Sequence, residues 1–174
     1  RRAPDAAALT MRTVDANGHE SLTTYTTAGQ VESTTDIYGH TTSYLYDIRG
    51  QLIQTTYWDG TISRTVYDAK GRAVYSDDPH LPEEDAQGTH TTYDLLDRAI
   101  ESERLETLVI DLVETAGVWS TVLVSAGNVL SSYSSEYDTA GRLLSTTNTY
   151  GLETRYLYDQ FGRTVETRRQ AIDE

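Results

Sequence analysis

The feature that most limits how this chain can fold is a ladder of glycines that cuts it into pieces of about ten residues. Gly18, Gly29, Gly39, Gly50, Gly60 and Gly71 follow one another at steps of 11, 10, 11, 10 and 11, and Gly141, Gly151 and Gly162 repeat the 10 and the 11. Each step has room for one short strand and one tight turn. Between the regular blocks the ladder continues through Gly88, Asp97, Thr107, Gly117 and Gly127. The count predicts about 15 short strands joined by tight turns.

Alternate glycines close a longer motif. Tyr46-Asp47-Ile48-Arg49-Gly50, Tyr67-Asp68-Ala69-Lys70-Gly71-Arg72, Tyr137-Asp138-Thr139-Ala140-Gly141-Arg142 and Tyr158-Asp159-Gln160-Phe161-Gly162-Arg163 share the pattern Tyr-Asp-x-x-Gly, usually followed by Arg. Degenerate copies run from Tyr25 to Gly29 and from Tyr93 to Arg98. In such a loop the Asp carboxylate accepts local backbone N–H groups, Gly takes the positive-φ position, and Asp faces Arg across the loop mouth. The intervening turns read differently. Asp59-Gly60 suggests a two-residue hairpin loop, which would set Trp58 opposite Thr61, Ile53 opposite Val66 and Leu52 opposite Tyr67. The corresponding turn at Tyr150-Gly151 would pair Leu144 with Leu157 and Leu143 with Tyr158.

Composition agrees with a sheet that has one wet face. Apolar residues make up 37% of the chain, while 27 Thr and 13 Tyr supply types that suit a pleated surface. Val31, Leu52, Ile53, Val74, Ile100, Leu143, Leu144 and Val165 fall just after the motif glycines, which predicts apolar bands near the tyrosine ends of the hairpins as the core. Two stretches interrupt the period. Residues 77–87, with two Pro among them, read as an exposed loop inserted between strands without disturbing the sheet. Residues 99–130 hold degenerate repeats; Leu105, Leu108, Leu112 and Ala116 fit helical spacing, but Val109, Ile110, Val113, Val118, Val122 and Val124 are β-branched and favour strands.

A net charge of −13 disfavours nucleic acid and anionic lipid surfaces as partners. No apolar run approaches the roughly 18 residues of a membrane-spanning helix, so no membrane insertion is expected. The Arg1-Arg2 start lacks the apolar segment of a signal peptide. There is no Cys, hence no disulfide and no thiolate metal site.

The recurrence of Tyr-Asp-x-x-Gly-Arg at 21-residue spacing resembles the YD-repeat, or Rhs-repeat, family of bacterial polymorphic toxin shells, Tc toxin shell components and teneurin-like YD shells. The signature falls on Tyr46, Asp47 and Gly50; on Tyr67, Asp68, Gly71 and Arg72; on Tyr137, Asp138, Gly141 and Arg142; and on Tyr158, Asp159, Gly162 and Arg163. Departures are Asp97 for Gly, Thr26 for Asp, Gln51 for Arg and a missing tyrosine near Val113. The resemblance implies one array over residues 1–174, all-β, with tandem antiparallel hairpins in one long, strongly twisted and curled sheet that forms a segment of a spiral shell. It also implies a secreted or cell-surface protein whose flanking repeats continue the wall around an enclosed effector domain.

Catalysis is not expected. The repeated Asp residues sit where turns favour Asp, no metal-ligand spacing or cofactor motif occurs, and His19 and His40 read as surface residues too far apart to share a metal. Trp58 is a candidate glycan contact, because an exposed aromatic face can stack on a sugar ring. Long sheets present unpaired edges and a curled one leaves a wet inner face, so self-association is expected through the edge strands near Leu9 to Val14 or Thr164 to Arg168, or through the concave face.

Overall fold

A computed structural model of the protein describes residues 9–171; residues 1–8, with the Arg1-Arg2 start, and residues 172–174 lie outside the described residues. The described chain is all strand and turn. In chain order the strands are β1 (Leu9–Val14), β2 (Glu20–Tyr25), β3 (Val31–Thr35), β4 (Thr41–Tyr46), β5 (Leu52–Thr56), β6 (Ile62–Tyr67) and β7 (Ala73–Asp77). There follow β8 (Ala86–Tyr93), β9 (Ala99–Thr115), β10 (Val118–Ser125), β11 (Asn128–Tyr137), β12 (Leu143–Asn148), β13 (Leu152–Tyr158) and β14 (Thr164–Ala171). All 14 belong to one open antiparallel sheet in which β1 to β9 pair in order, β9 pairs next with β11, and β11 to β14 continue in order. β10 lies off this path and pairs only with β9.

The two turn classes expected from the sequence turn out to share one geometry. At a tyrosine turn the Asp47 N–H donates to the Gln51 carbonyl and the Gly50 N–H to the Asp47 carbonyl, both within 3.0 Å. At the intervening turn the Tyr57 N–H donates to the Thr61 carbonyl and the Gly60 N–H to the Tyr57 carbonyl, with the same lengths. Both are three-residue loops closed by a left-handed glycine, not two-residue loops. The consequence is a one-residue correction of register: Thr55 pairs with Ser63 and Thr56 with Ile62, so the expected pairings of Ile53 with Val66 and Leu52 with Tyr67 do not form. The same correction applies at Gly151, where Ser145 pairs with Arg155 and Thr146 with Thr154. A slip of one residue exchanges the two faces of a strand, so the error matters for every side chain along it.

What separates the two hairpin classes is a β-bulge. At each tyrosine hairpin the strand after the turn carries one extra residue: Tyr46 faces Leu52 while Leu45 faces Gln54, Tyr67 faces Ala73 while Val66 faces Tyr75, and Tyr158 faces Thr164 while Leu157 faces Glu166. Ile53, Val74 and Val165 are the extra residues. Bulges add twist and bend a strand, so a bulge at every second hairpin bends the sheet repeatedly at one end of its strands.

The expected turn at Thr107 is absent, and this is why 14 strands form where 15 were expected. Thr107 has φ 58 yet lies within the 17-residue strand β9, whose first half pairs with β11 and second half with β10. β9 with β10 and β11 is therefore a double-length hairpin, its tip a two-residue turn at Ala116 and Gly117 with φ 52 and 82. Its outer half leaves the sheet at Thr107 and Gly127 and lies across β6. There Arg64 Nη1 donates to the Ile110 carbonyl at 2.6 Å and Thr121 Oγ1 to the Thr65 carbonyl at 2.6 Å. The departure point requires glycine: a Cβ on Gly127 would stand 1.8 Å from the Glu106 carbonyl oxygen.

This arm builds the core. Leu105, Leu108 and Ile110 are each 2% exposed or less and pack against Val66, Tyr75, Leu123 and Ala126. The apolar bands expected to form the core on their own do so only in part: Ile53 is buried, but Leu144 and Val165, which no arm covers, are 39% and 64% exposed. Strands do form where helical spacing competed, in β9 and β10.

The stretch 77–87 is also less free than its composition suggests. Asp77 ends β7 and is buried, Ala86 opens β8 and is buried, and His80 makes a two-bond bridge to Ile62. Asp78 pairs with Arg104 of β9. Leu81 to Asp85 is its longest fully exposed run. Gly88, placed at a turn by the ladder, instead lies inside β8, where a Cβ would press within 2.4 Å of the Leu108 side chain and the Ser76 carbonyl. It is needed for close packing under the arm.

Candidate functional site: the ladder between repeats

At each tyrosine turn the Asp carboxylate is a local cap. Asp47 Oδ1 accepts the N–H groups of Arg49 and Gln51, Asp68 Oδ1 those of Lys70 and Arg72, Asp138 Oδ1 those of Ala140 and Arg142, and Asp159 Oδ1 those of Phe161 and Arg163. Gly50, Gly71, Gly141 and Gly162 have φ of 83, 90, 84 and 79. The Arg after the glycine turns back on the same Asp: Arg72, Arg98, Arg142 and Arg163 each place Nε 2.6–2.7 Å from the carboxylate of Asp68, Asp94, Asp138 and Asp159. The backbone N–H of the following Arg, and then its guanidinium, hold these four carboxyls below the ordinary carboxylate range.

The same residues reach the next repeat. The Arg72 guanidinium lies 4.6 Å from the centre of the Tyr93 ring, Arg98 lies 4.5 Å from Tyr137, and Arg142 lies 4.9 Å from Tyr158. In return each tyrosine hydroxyl donates to a carbonyl of the preceding repeat: Tyr67 to Leu52, Tyr93 to Ala73, Tyr137 to Ala99 and Tyr158 to Leu143, at 2.7–3.2 Å. Every acceptor lies two residues after the turn's fourth position, on the strand beside the tyrosine. Desolvation, then the nearby Asp47 charge, raises the Tyr67 hydroxyl above its ordinary pKa, so it stays a donor.

Three departures from the motif become intelligible here. Gln51, in place of Arg, sends Nε2 to the Gly71 carbonyl at 2.9 Å, and Gln30 sends its own to Gly50 at 3.0 Å, so glutamine keeps the reach to the next turn without the charge. Asp97 takes the glycine place with φ 64, and its carboxylate binds Lys70 Nζ at 2.8 Å and Arg72 Nη1 at 2.6 Å. Thr26, in place of Asp, accepts the Gln30 N–H on Oγ1 at 3.2 Å. The sequence carried a signal for this ladder, since Gln and Arg recur at one phase of the 21-residue period, but periodicity alone does not say that they cross to a neighbour.

Trp58 stands apart from the ladder, in a turn at the opposite ends of the strands. Its ring is stacked on His40 at 4.1 Å, it is 61% exposed, and Tyr38 lies 6.0 Å from the same histidine. His40 and His19 bind the carboxylates of Asp36 and Asp15 within their own turns.

Shallow depressions open on the sheet. One, of about 550 Å³, is lined by polar groups that include Glu101, Ser132, Ser134 and Thr147. Among the described residues no group of three or more His, Asp or Glu is arranged to hold a metal ion.

No protein-family model matches the chain, and no curated protein matches it. Solved structures do. The chain is similar to part of the crystal structure of TcdB2-TccC3-Cdc42 (TM-score 0.49, 17% identity over 94% of this chain) and to TcdB2-TccC3 without its hypervariable C-terminal region (0.48, 17%, 94%). A Photorhabdus luminescens Tc holotoxin pore is a third such structure, with TM-score 0.41 and 14% identity over 89% of this chain. The chain spans about a tenth of the length of these solved chains.

Proposed function

We propose that this chain is a non-catalytic structural segment, a stretch of the wall of a hollow β-shell that encloses a toxin or effector domain within a large secreted or cell-surface protein. One observation carries the reading: four tyrosines and three arginines of the motif copies engage neighbouring repeats with one recurring geometry. Tyr67, Tyr93, Tyr137 and Tyr158 bond backward, and Arg72, Arg98 and Arg142 stack forward. A catalytic group is singular, whereas these residues recur with one geometry, and their chemistry is consumed in holding strand to strand. The motif's resemblance to YD-repeat shells supplies the enclosure. In the intact protein, residues inside the wall should resist added protease until the sheet melts. Cleavage of every segment at the rate of an unfolded chain would overturn the reading.

A second reading is favoured by Trp58, whose exposed ring, braced by His40, offers a flat face for a sugar. Binding on a glycan array that disappears with Trp58→Ala, while the β-sheet circular dichroism stays unchanged, would establish it. An array without signal would remove it.

A further inference from the structure

In the turns that open with Asp15, Asp36, Asp68, Asp94, Asp138 and Asp159, the fifth residue is His or Arg, and it meets the Oδ2 of that Asp at 2.6–3.2 Å. Asp47 is the exception. Its Oδ1 caps the turn, but its fifth residue is Gln51, which sends Nε2 to the Gly71 carbonyl and leaves Asp47 Oδ2 without a partner among the described residues. The carboxylate has lost its cation. At the other glutamine turn no such imbalance arises, because Thr26 replaces the Asp before Gln30.

Beside Asp47 and Gln51 lies a cavity of about 130 Å³. Its wall holds the counterparts of what arginine touches elsewhere in the ladder. Arg72 lies over Tyr93 and sends Nη1 to the Asp94 carbonyl, and Arg98 lies over Tyr137 and sends Nη1 to the Asp138 carbonyl. The residues at these places after Gln51 are Tyr67 and Asp68, and both line the cavity. Gln51 Oε1 is buried and has no hydrogen-bond partner among the described residues, so it calls for a donor. The arm supplies the remaining wall through Ser120 and Thr121 of β10, with Thr121 anchored to the Thr65 carbonyl. Arg49, the one cation on the wall, sends Nη1 to the Ala69 carbonyl at 3.1 Å and forms no ion pair with Asp47.

We infer that this cavity is a binding site for a guanidinium group brought by another molecule. The planar cation donates to Asp47 Oδ2 and Gln51 Oε1 and lies against the Tyr67 ring, repeating what Arg72 and Arg98 do within the chain. An ammonium has the charge without the planar fork, and a neutral urea has the plane without the charge. The volume suits a guanidinium group at the end of a short stem, well below the roughly 300 Å³ at which pockets for drug-sized ligands begin. Its bearer is a free guanidino compound or an arginine side chain of a partner protein.

The test is a titration of the whole chain with methylguanidinium, followed through the Tyr67 ring resonances. Saturation is expected at about millimolar concentration, within reach of so small a ligand. Asp47→Asn keeps an acceptor for the turn and should weaken binding about tenfold, while Gln51→Arg places the chain's own guanidinium there and should abolish it. N-methylurea and methylammonium should each bind about tenfold more weakly than methylguanidinium. Unchanged binding by Gln51→Arg, or N-methylurea binding as well as methylguanidinium, would overturn the site. Absence of saturation would overturn it too, leaving water as the donor to Gln51 Oε1. If Asp47→Asn does not fold, the Gln51→Arg comparison decides alone. Acetyl-Gly-Arg-Gly-amide separates the two sources: binding equal to that of methylguanidinium assigns an arginine side chain, and binding of methylguanidinium alone assigns a free guanidino compound. None of these outcomes depends on whether the chain encloses an effector.

Discussion

The strip of regular hairpins and the arm that crosses it are built from the same kind of strand but hold together by different means. In the strip, few side chains are buried, and cohesion comes from repeated polar ties at the tyrosine turns, such as Tyr158 to Leu143 and Arg142 over Tyr158. Under the arm the ties give way to apolar packing of Leu105, Leu108 and Ile110. The difference shows how a chain only 37% apolar can fold as a long sheet. Its apolar burial is concentrated where a second layer exists, and elsewhere backbone pairing and periodic side-chain contacts suffice.

The comparison is tested most severely by removing packing from each region. Leu108→Ala should cost about 2–5 kcal/mol in urea unfolding, as for other buried leucines, whereas Leu144→Ala in the uncovered band should cost less than about 1 kcal/mol. Equal losses would mean that the strip has a core of its own. Glycine is the next contrast: Gly71→Ala should cost on the order of 1 kcal/mol, because φ 90 strains any side chain and the new Cβ would meet the Gln51 amide at 3.1 Å. A neutral outcome would show that the turns tolerate another geometry. Smaller still is the tie itself. Tyr93→Phe deletes the hydroxyl that bonds Ala73 and should cost about 0.5–1.5 kcal/mol, raising hydrogen exchange chiefly at the hairpins it joins.

Charge separates the regions by sign. Asp68, Asp94, Asp138 and Asp159 have carboxyls depressed below the ordinary 3.8, so the stability they contribute is present above that value and is lost as pH falls through their folded-state pKa. Asp77, at the base of the arm, is shifted the other way by burial, against the Arg64 N–H that it accepts. Its contribution is present below the unfolded value and lost as pH rises through the raised one. Asp77→Asn, which keeps an acceptor for Arg64, should therefore be more stable than wild type at neutral pH, with the advantage shrinking toward pH 3.8. Thermal unfolding of both proteins across that range measures it, and an advantage independent of pH would assign the effect to packing.

Local chemistry made much of this molecule legible in advance. Tyr-Asp-x-x-Gly specifies its own turn through a side-chain cap and one left-handed residue, so all-β class, hairpin order and the Asp–Arg contact could be read from spacing. The register at Gly60 departs from the expected pairing because Asp59-Gly60 is also the signature of a two-residue loop, and Tyr150-Gly151 follows it by its corresponding place in the period; the choice between loops depends on bonds such as Tyr57 N–H to the Thr61 carbonyl that no single residue announces. The ladder was visible only as recurrence, since Gln51 and Arg72 do the same thing with different groups.

What the sequence by itself determined is the periodic part, where each turn encodes its own bend within five residues and identical neighbours make identical contacts. What only the tertiary structure decided is the arm. Thr107 kept the ten-residue step but could not turn, because continuing β9 lets Leu105, Leu108 and Ile110 reach Val66 and Tyr75, residues some 30 to 45 positions earlier in the chain. That preference has no local signature: burial against a distant surface outweighs a local turn, and the surface exists only once the strip has formed.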